Sequence, residues 1–196
     1  MALDVARRLF TVDEYDRLIE TGFFGPEERL ELVDGEIITM SPIGARHAGC
    51  VARLMDLFIA RLGPRALVWV QNPVVLGERQ EFVPDITVLR RRDDYYTRLR
   101  PGPGDALLVI EVADTTLPFD RSVKVPRYAA AGVVEVWLVD LQRNLVLTYD
   151  TPRADGYASS RTARRGEHLN PVSFPEVGLA VEDLLGPPNV PLDDFR

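Results

Sequence analysis

Hydrophobic positions recur along the chain with two periods, and the switches between them mark the elements. Val12, Tyr15, Leu18 and Ile19 follow Thr11 at helical intervals, and Thr11 with Glu14 has capping-box spacing, so a helix is predicted there until Gly22 to Pro26 stop it. Two short apolar runs flank Asp34-Gly35 in RLELVDGEIITM, a hairpin signal because both turn positions tolerate positive φ. Val51, Leu54, Met55, Phe58 and Leu62 recur at three and four, predicting an amphipathic helix from about Ala45 to Leu62 that Gly63-Pro64 ends and that packs on a sheet.

Three strands are predicted next, over residues 66–76, 82–89 and 106–112, the first bent or at an edge because it contains Pro73. The last two are joined by RRRDDYYTRLRPGPG, a long polar surface loop. A helix then runs from beyond Asp120 to Ala131, with Gly132 as a left-handed cap. Pro126 requires it to start late or to bend. Residues 134–140 and 145–149 read as a hairpin around Gln142 to Asn144, and the tail as loops with a short helix near 181–185. The succession of helix, three strands, helix and strand is an α/β layout with a mixed sheet.

Composition narrows this to one domain over 1–196. The chain has 196 residues, 46% hydrophobic and 27% charged, enough for a core without staples. Cys50 is the one cysteine, which allows neither an internal disulfide nor a thiolate zinc cage. No apolar run is long enough to span a membrane, and Asp4 interrupts what would be a secretory signal, so a cytoplasmic protein is expected. A net charge of −7 argues against coating nucleic acid through a broad basic face, but leaves room for a local site. Of the 23 basic residues only Lys124 is a lysine. Where arginine serves for charge almost everywhere, a lone ammonium points to a need for a compact cation, although a chance survivor on a solvated helix face is the simpler reading.

Two carboxylates interrupt otherwise apolar strands: Asp85 in FVPDITVL and Glu111 in ALLVIEVAD. A charge in a buried strand is costly unless paired, hydrogen-bonded or metal-bound. If the strands are antiparallel, Asp85 at the start of one lies beside Glu111 at the end of the other, with the long loop at the far end. Two such acids repel, so one holds a proton or a cation sits between them. Oxygen ligands without nearby His or Cys favour Mg²⁺ or Mn²⁺ over zinc. Taken singly, Asp85 could be a turn residue after Pro84, and Glu111 could pair with an arginine. Lys124, thirteen residues beyond Glu111, could reach back over the strand end, with Tyr128 on the same helical face.

Pro84-Asp85, then Glu111, then a lysine resembles the PD-(D/E)XK nuclease superfamily. The wider set of ELVDGEIITMSP with His47 shortly after, VPDITVL, LLVIEVAD, the Asp120, Lys124, Tyr128 spacing, GVVEVWLVD and FPEVGLAVEDLL is similar to the Uma-two family of restriction-endonuclease-like proteins, from about Thr11 to Leu185. The resemblance implies a mixed β-sheet flanked by helices, here with an added N-terminal helix and hairpin. It implies Asp85, Glu111 and Lys124 as catalytic residues, and Asp85, Glu111 and the Val112 carbonyl as ligands of Mg²⁺ or Mn²⁺. Glu31, His47 and Tyr128 are additional candidates. The superfamily's lysine stands two residues after the second acid; here that position is Ala113, and Lys124 would supply the ammonium from the next helix.

The activity implied is metal-dependent endonucleolytic hydrolysis of DNA, with a homodimer as the scaffold's expected assembly. The alternative is a nuclease fold without turnover serving as a binding or assembly module, motivated by Ala113 and the acidic charge. A carboxylate-pair hydrolase acting on sugars would leave the lysine idle. Among the rest, a packed or capping role is the default for His47, a solvated hairpin for Glu31 and Glu36, no role for His168, and a solvated strand end for Arg90, Arg91 and Arg92.

Overall fold

The computed structural model describes residues 7–187, so the start of the chain, on which the signal-segment reading rests, lies outside the described residues. Helix α1 (Val12–Glu20) begins at the capping box: the Glu14 N–H donates to Thr11 Oγ1 at 3.3 Å and the Thr11 N–H to Glu14 Oε2 at 3.1 Å. Both bonds satisfy donors that a first helical turn otherwise leaves bare. Strands β1 (Leu30–Val33) and β2 (Glu36–Thr39) form the expected hairpin, with Asp34 and Gly35 at φ 52° and 81°. A Cβ on Gly35 would stand 2.7 Å from Leu9 Cβ and 3.0 Å from the Phe10 carbonyl oxygen. Gly35→Ala is therefore expected to cost about 1–3 kcal/mol, read as a lower urea midpoint. An unchanged midpoint would mean that the segment over the turn simply moves aside.

Helix α2 (Ala45–Leu62) ends at Gly63 and leads through a short 3₁₀ turn into β3 (Ala66–Val70). Here the continuous strands expected over 66–76 and 82–89 are corrected. Each is two strands: β3 and β4 (Val74–Gly77), then β5 (Gln80–Phe82) and β6 (Ile86–Arg90). Pro73 and Pro84 lie in the breaks, where a missing N–H costs no ladder bond. β3 pairs with β6 in one sheet and β4 with β5 in another, so the chain crosses between sheets twice. The crossings lie side by side, the Gln71 N–H donating to the Asp85 carbonyl at 3.1 Å.

The larger sheet adds β7 (Ala106–Ala113), β8 (Glu135–Asp140), β9 (Leu145–Arg153) and β10 (Gly156–Arg164), in the order β10-β9-β8-β7-β6-β3. Only β7 and β8 are parallel, which confirms a mixed sheet. The smaller sheet runs β2-β1-β5-β4. Reading residues 145–149 as a final strand followed by loops is also corrected, since β9 continues to Arg153 and pairs with β10. That edge strand, GYASSRTAR, is mostly exposed and buries only Ala163 fully, so it has no alternation to read. A two-stranded pair, β11 (His168–Leu169) with β12 (Leu179–Ala180), precedes the expected helix α5 (Val181–Leu185).

β7 to β8 is the single parallel step and carries the crossover helix. It begins at Leu117, earlier than expected: α3 (Leu117–Phe119), a π turn (Asp120–Lys124) and α4 (Val125–Ala131) follow without a break. The Val125 N–H donates to the Asp120 carbonyl, five residues back. The wider turn stands immediately before Pro126, whose missing N–H already interrupts the ladder, and turns of this kind recur at functional sites.

Alternation along β7 assigns its two faces. Leu108, Ile110 and Val112 pack with Leu54 and Phe58 of α2 and with Trp137, while Val109 packs with Tyr128 of α4, Phe82 and Leu138. Glu111 falls on the second face, under the crossover helix. Among the described residues no helix is long and apolar enough to cross a membrane.

Glu135 shows what a buried acid costs this fold. It accepts from Trp137 Nε1 at 2.6 Å and the Val172 N–H at 2.7 Å, yet burial pushes its carboxyl up to about 7. A raised carboxyl stabilises the folded protein most below the unfolded value, and this stability is lost as pH rises through the folded one. Metal-free protein is expected to lose on the order of 3 kcal/mol from Glu135 between pH 4 and pH 8. In thermal melts, replacing Glu135 by leucine should flatten the fall in melting temperature from pH 5 to pH 8. An equally steep fall in that variant would assign it to other groups.

Candidate active site

The β6–β7 register places the two acids as the antiparallel reading expects. Ile86 pairs with Ile110, so Asp85 and Glu111 face each other one step further along. At that step β6 has ended, and the Val112 N–H donates instead to Asp85 Oδ2 at 2.8 Å. Asp85 thus stands in for a missing backbone acceptor at the end of the ladder. Gln71 Nε2 donates to Asp85 Oδ1 at 3.2 Å, from the neighbouring crossing.

His47, on the first turn of α2, lies with Nε2 2.9 Å from Asp85 Oδ2. Burial would raise the Asp85 carboxyl, but His47, Val112 and Gln71 together hold it below its ordinary value. An ionised carboxylate only accepts, so Nε2 carries the hydrogen. His47 Nδ1 is buried without a partner. The default of a merely packed histidine gives way to one that orients Asp85.

Lys124 reaches the same place from the π turn and is 2% exposed. Its Nζ lies 2.8 Å from Glu31 Oε1 and 3.0 Å from Glu111 Oε1, and 5.4 Å from the centroid of the Phe82 ring. Burial works against its charge, but Glu111, Glu31 and Asp120 outweigh it, so the ammonium is held above its ordinary value. Tyr128, one turn on, donates from its hydroxyl to Glu111 Oε1 at 2.6 Å. Burial pushes Glu111 up while Lys124 pulls it back. The solvated face considered for Lys124 is excluded by this burial.

Glu31 is likewise no solvated hairpin residue. It sits on β1 and accepts the Val83 N–H at 2.9 Å as well as the ammonium, and its Oε2 is buried without a partner. Glu36, across the turn, pairs at the surface with Arg7. His168 is exposed on β11, and Arg90 and Arg91 are exposed, at the end of β6 remote from the acids.

Glu31, His47, Gln71, Asp85, Glu111 and Lys124 line a cleft of about 910 Å³ between the two sheets, walled by α1, the segment after it and the turn before α2. Val112 also lines it. Asp120 belongs to the same group but was given no role from sequence: it accepts from Thr116 Oγ1 at 2.6 Å, and burial pushes its carboxyl up to about 6. Its position four residues before Lys124 is a usable signal. Gln71 left none, since it lies in an aperiodic break at φ 49°.

For a metal, the carboxylates supply oxygen donors, and the expectation of no nearby histidine is corrected: His47 lines the cleft, its Nε2 bonded to Asp85. Among the described residues no three of His, Cys, Asp and Glu form a ready-made cluster. Both bonds to Glu111 end on Oε1, which leaves Oε2 for a ligand role. Mg²⁺ typically keeps several waters and uses one or two carboxylates with substrate phosphate oxygens, so Asp85 and Glu111 fit it without a third acid.

A mixed sheet flanked by helices, with one acid on β7, another just before β6 and an ammonium at the same strand ends, is a restriction-endonuclease-like architecture. Residues 12–182 match the family described as Uma2, putative restriction endonuclease, and the chain belongs to that family. A solved structure described as a putative nuclease belonging to DUF820 from Anabaena variabilis ATCC 29413 shares the fold with a TM-score of 0.69. It is 18% identical, over 90% of this chain and 97% of that one. No protein of curated function matches the sequence.

Proposed function

We propose that the protein is a Mg²⁺- or Mn²⁺-dependent endonuclease that hydrolyses phosphodiester bonds in DNA. The observation that carries this reading is the convergence of Asp85, Glu111 and Lys124, from the crossing before β6, from β7 and from the crossover helix, in one cleft. The family's description as restriction endonucleases and the structural neighbour's as a nuclease point the same way.

Asp85 and Glu111 would hold the ion, with the Val112 carbonyl as a third ligand. A bound divalent ion supplies an acidified water and neutralises charge gathering on the phosphate. His47 and Gln71 fix the orientation of Asp85. Tyr128 fixes Glu111. Lys124, held as a cation, cannot remove a proton; it orients the attacking water and stabilises the negative charge that water acquires. Glu31 keeps the ammonium in place.

The alternative of a nuclease fold without turnover, acting as a binding or assembly module, draws support from the ammonium being bonded to two carboxylates and from Ala113 at the superfamily's lysine position. One assay separates the readings. Purified protein is incubated with supercoiled and linear DNA with Mg²⁺, Mn²⁺ or EDTA, beside an Asp85→Asn preparation made in parallel. Cleavage that needs the metal and Asp85 supports the nuclease. Cleavage equal in both preparations, or none under any metal, supports the module.

A further inference from the structure

The walls of the cleft set a condition on the substrate, a condition that rests on the nuclease reading above. The reacting groups lie at the bottom: Asp85, Glu111, Lys124, Glu31 and Asp120 are all buried. The mouth, by contrast, bears exposed apolar side chains. Ile19 at the end of α1 is 48% exposed and Ile43 before α2 is 39% exposed, and both line the cleft. Phe23 is 72% exposed between Gly22 and Phe24, two further lining residues, and its ring meets that of Phe24 edge-on at 5.1 Å. The other large exposed apolar residues of the described surface, Ile59, Tyr95, Leu99 and Val172, do not line the cleft.

Charge at this mouth is wrong for gripping a duplex backbone. Seven carboxylates line the cleft against two cations, Arg29 and Lys124; five of the seven and Lys124 are buried, so the outer lining holds Glu28 and Asp114 with Arg29 as its one cation. The exposed arginines at the end of β6 lie remote from it. A duplex held in a groove relies on many phosphate neutralisations, and its stacked bases cannot turn toward an apolar wall. A single strand can pass one phosphate into a narrow cleft while its unstacked bases lie on aromatic and aliphatic side chains.

We infer that the cleft takes single-stranded DNA, or the unpaired strand of a flap or overhang, with a base adjoining the scissile phosphate stacked on Phe23 and flanked by Ile19 and Ile43. Affinity then comes from stacking and from the bound cation, and only weakly from counterion release.

The test is fluorescence anisotropy with labelled twelve-nucleotide single strands and the same sequence as a blunt duplex, with Ca²⁺ replacing Mg²⁺, across a range of salt. Single strands should bind at least about tenfold more tightly than duplex, with a shallow salt dependence. Phe23→Ala should weaken single-strand binding on the order of tenfold and leave thermal stability unchanged, since the side chain is exposed. Phe23→Trp should keep the affinity and report binding through a change in indole fluorescence. Equal binding of duplex and single strand, a steep salt dependence, or indifference to Phe23→Ala would overturn the inference. So would concentration-dependent dimerisation that Phe23→Ala abolishes while oligonucleotide binding is untouched, because the apolar mouth would then belong to a second copy of the chain. Duplex cleavage that depends on Asp85 but ignores Phe23 would sink this inference and leave the nuclease reading intact. Stacking on residue 23 without hydrolysis under any metal would support it and remove the nuclease instead.

Discussion

Asp85→Asn is expected to leave the protein folded and to lower the proposed metal-dependent DNA hydrolysis about 10³-fold or more. The carboxamide is isosteric, and its oxygen in place of Oδ2 still accepts from the Val112 N–H and from His47. The amide nitrogen then faces Gln71, which can turn its own carbonyl toward it. What disappears is one negative charge on a buried group that the site otherwise keeps ionised. If that charge holds the ion, several kcal/mol of charge stabilisation go with it, and each 1.36 kcal/mol is a factor of ten in rate. Two readouts check this: single-turnover cleavage, and the rise in melting temperature on adding Mn²⁺, which the variant should lose. Retained cleavage with a retained thermal shift would place the metal elsewhere.

Lys124→Met should be the most damaging single change to the fold in this region. The ammonium is the shared cationic partner of Glu31 and Glu111, both buried, and removing one partner of a buried ionic group costs about 3–5 kcal/mol. For a chain of this size that is a fall in melting temperature of roughly 6–20 °C. Activity should vanish as well, but loss of folding would explain that trivially. The informative variant is therefore Lys124→Met with Glu31→Gln, which removes one stranded carboxylate while the glutamine carbonyl still accepts the Val83 N–H. The pair should recover part of the lost stability without recovering cleavage. Strictly additive losses would show that Glu31 and Lys124 do not act as a unit. Lys124→Arg keeps the charge, yet the planar fork has no room at a position 2% exposed, so it should fail to restore activity.

The two acids were legible for a common reason, whereas Lys124 stood out only as the chain's one lysine and by resemblance. Asp85 and Glu111 break apolar strands, and a buried charge must be compensated by something, so each announced a partner from its sequence context alone. The antiparallel pairing of 82–89 with 106–112 entered only as a condition; the β6–β7 register meets it and sets the two acids opposite each other. Less legible were groups whose meaning depends on what lies across the cleft. Glu31 reads as one more polar hairpin residue, and only the packing of β1 against β5 and the crossover helix makes it the second acceptor for Lys124. His47 sits on a face shared with Val51 and Leu54, where periodicity favours packing, and its bond to Asp85 spans 38 residues of sequence. The division of two apparent strands into four turned on Pro73 and Pro84, which were visible, and on the existence of a second sheet, which was not. β10 escaped because an edge strand gains its place by backbone pairing, and backbone hydrogen bonds leave no mark on side-chain pattern.

By itself, then, the order of residues determined the capped helices, the Asp34-Gly35 turn and the mixed α/β layout, and it singled out Asp85 and Glu111 as charges in apolar strands, because these depend on periodicity, local backbone preference and the cost of burying charge. The tertiary structure alone decided which acceptors surround the ammonium, that the π turn carries it to Glu111, and that a deep acidic cleft opens through an apolar mouth. Those features arise where segments far apart in the chain meet, and the contact energies that select them are sums over both sides of the interface.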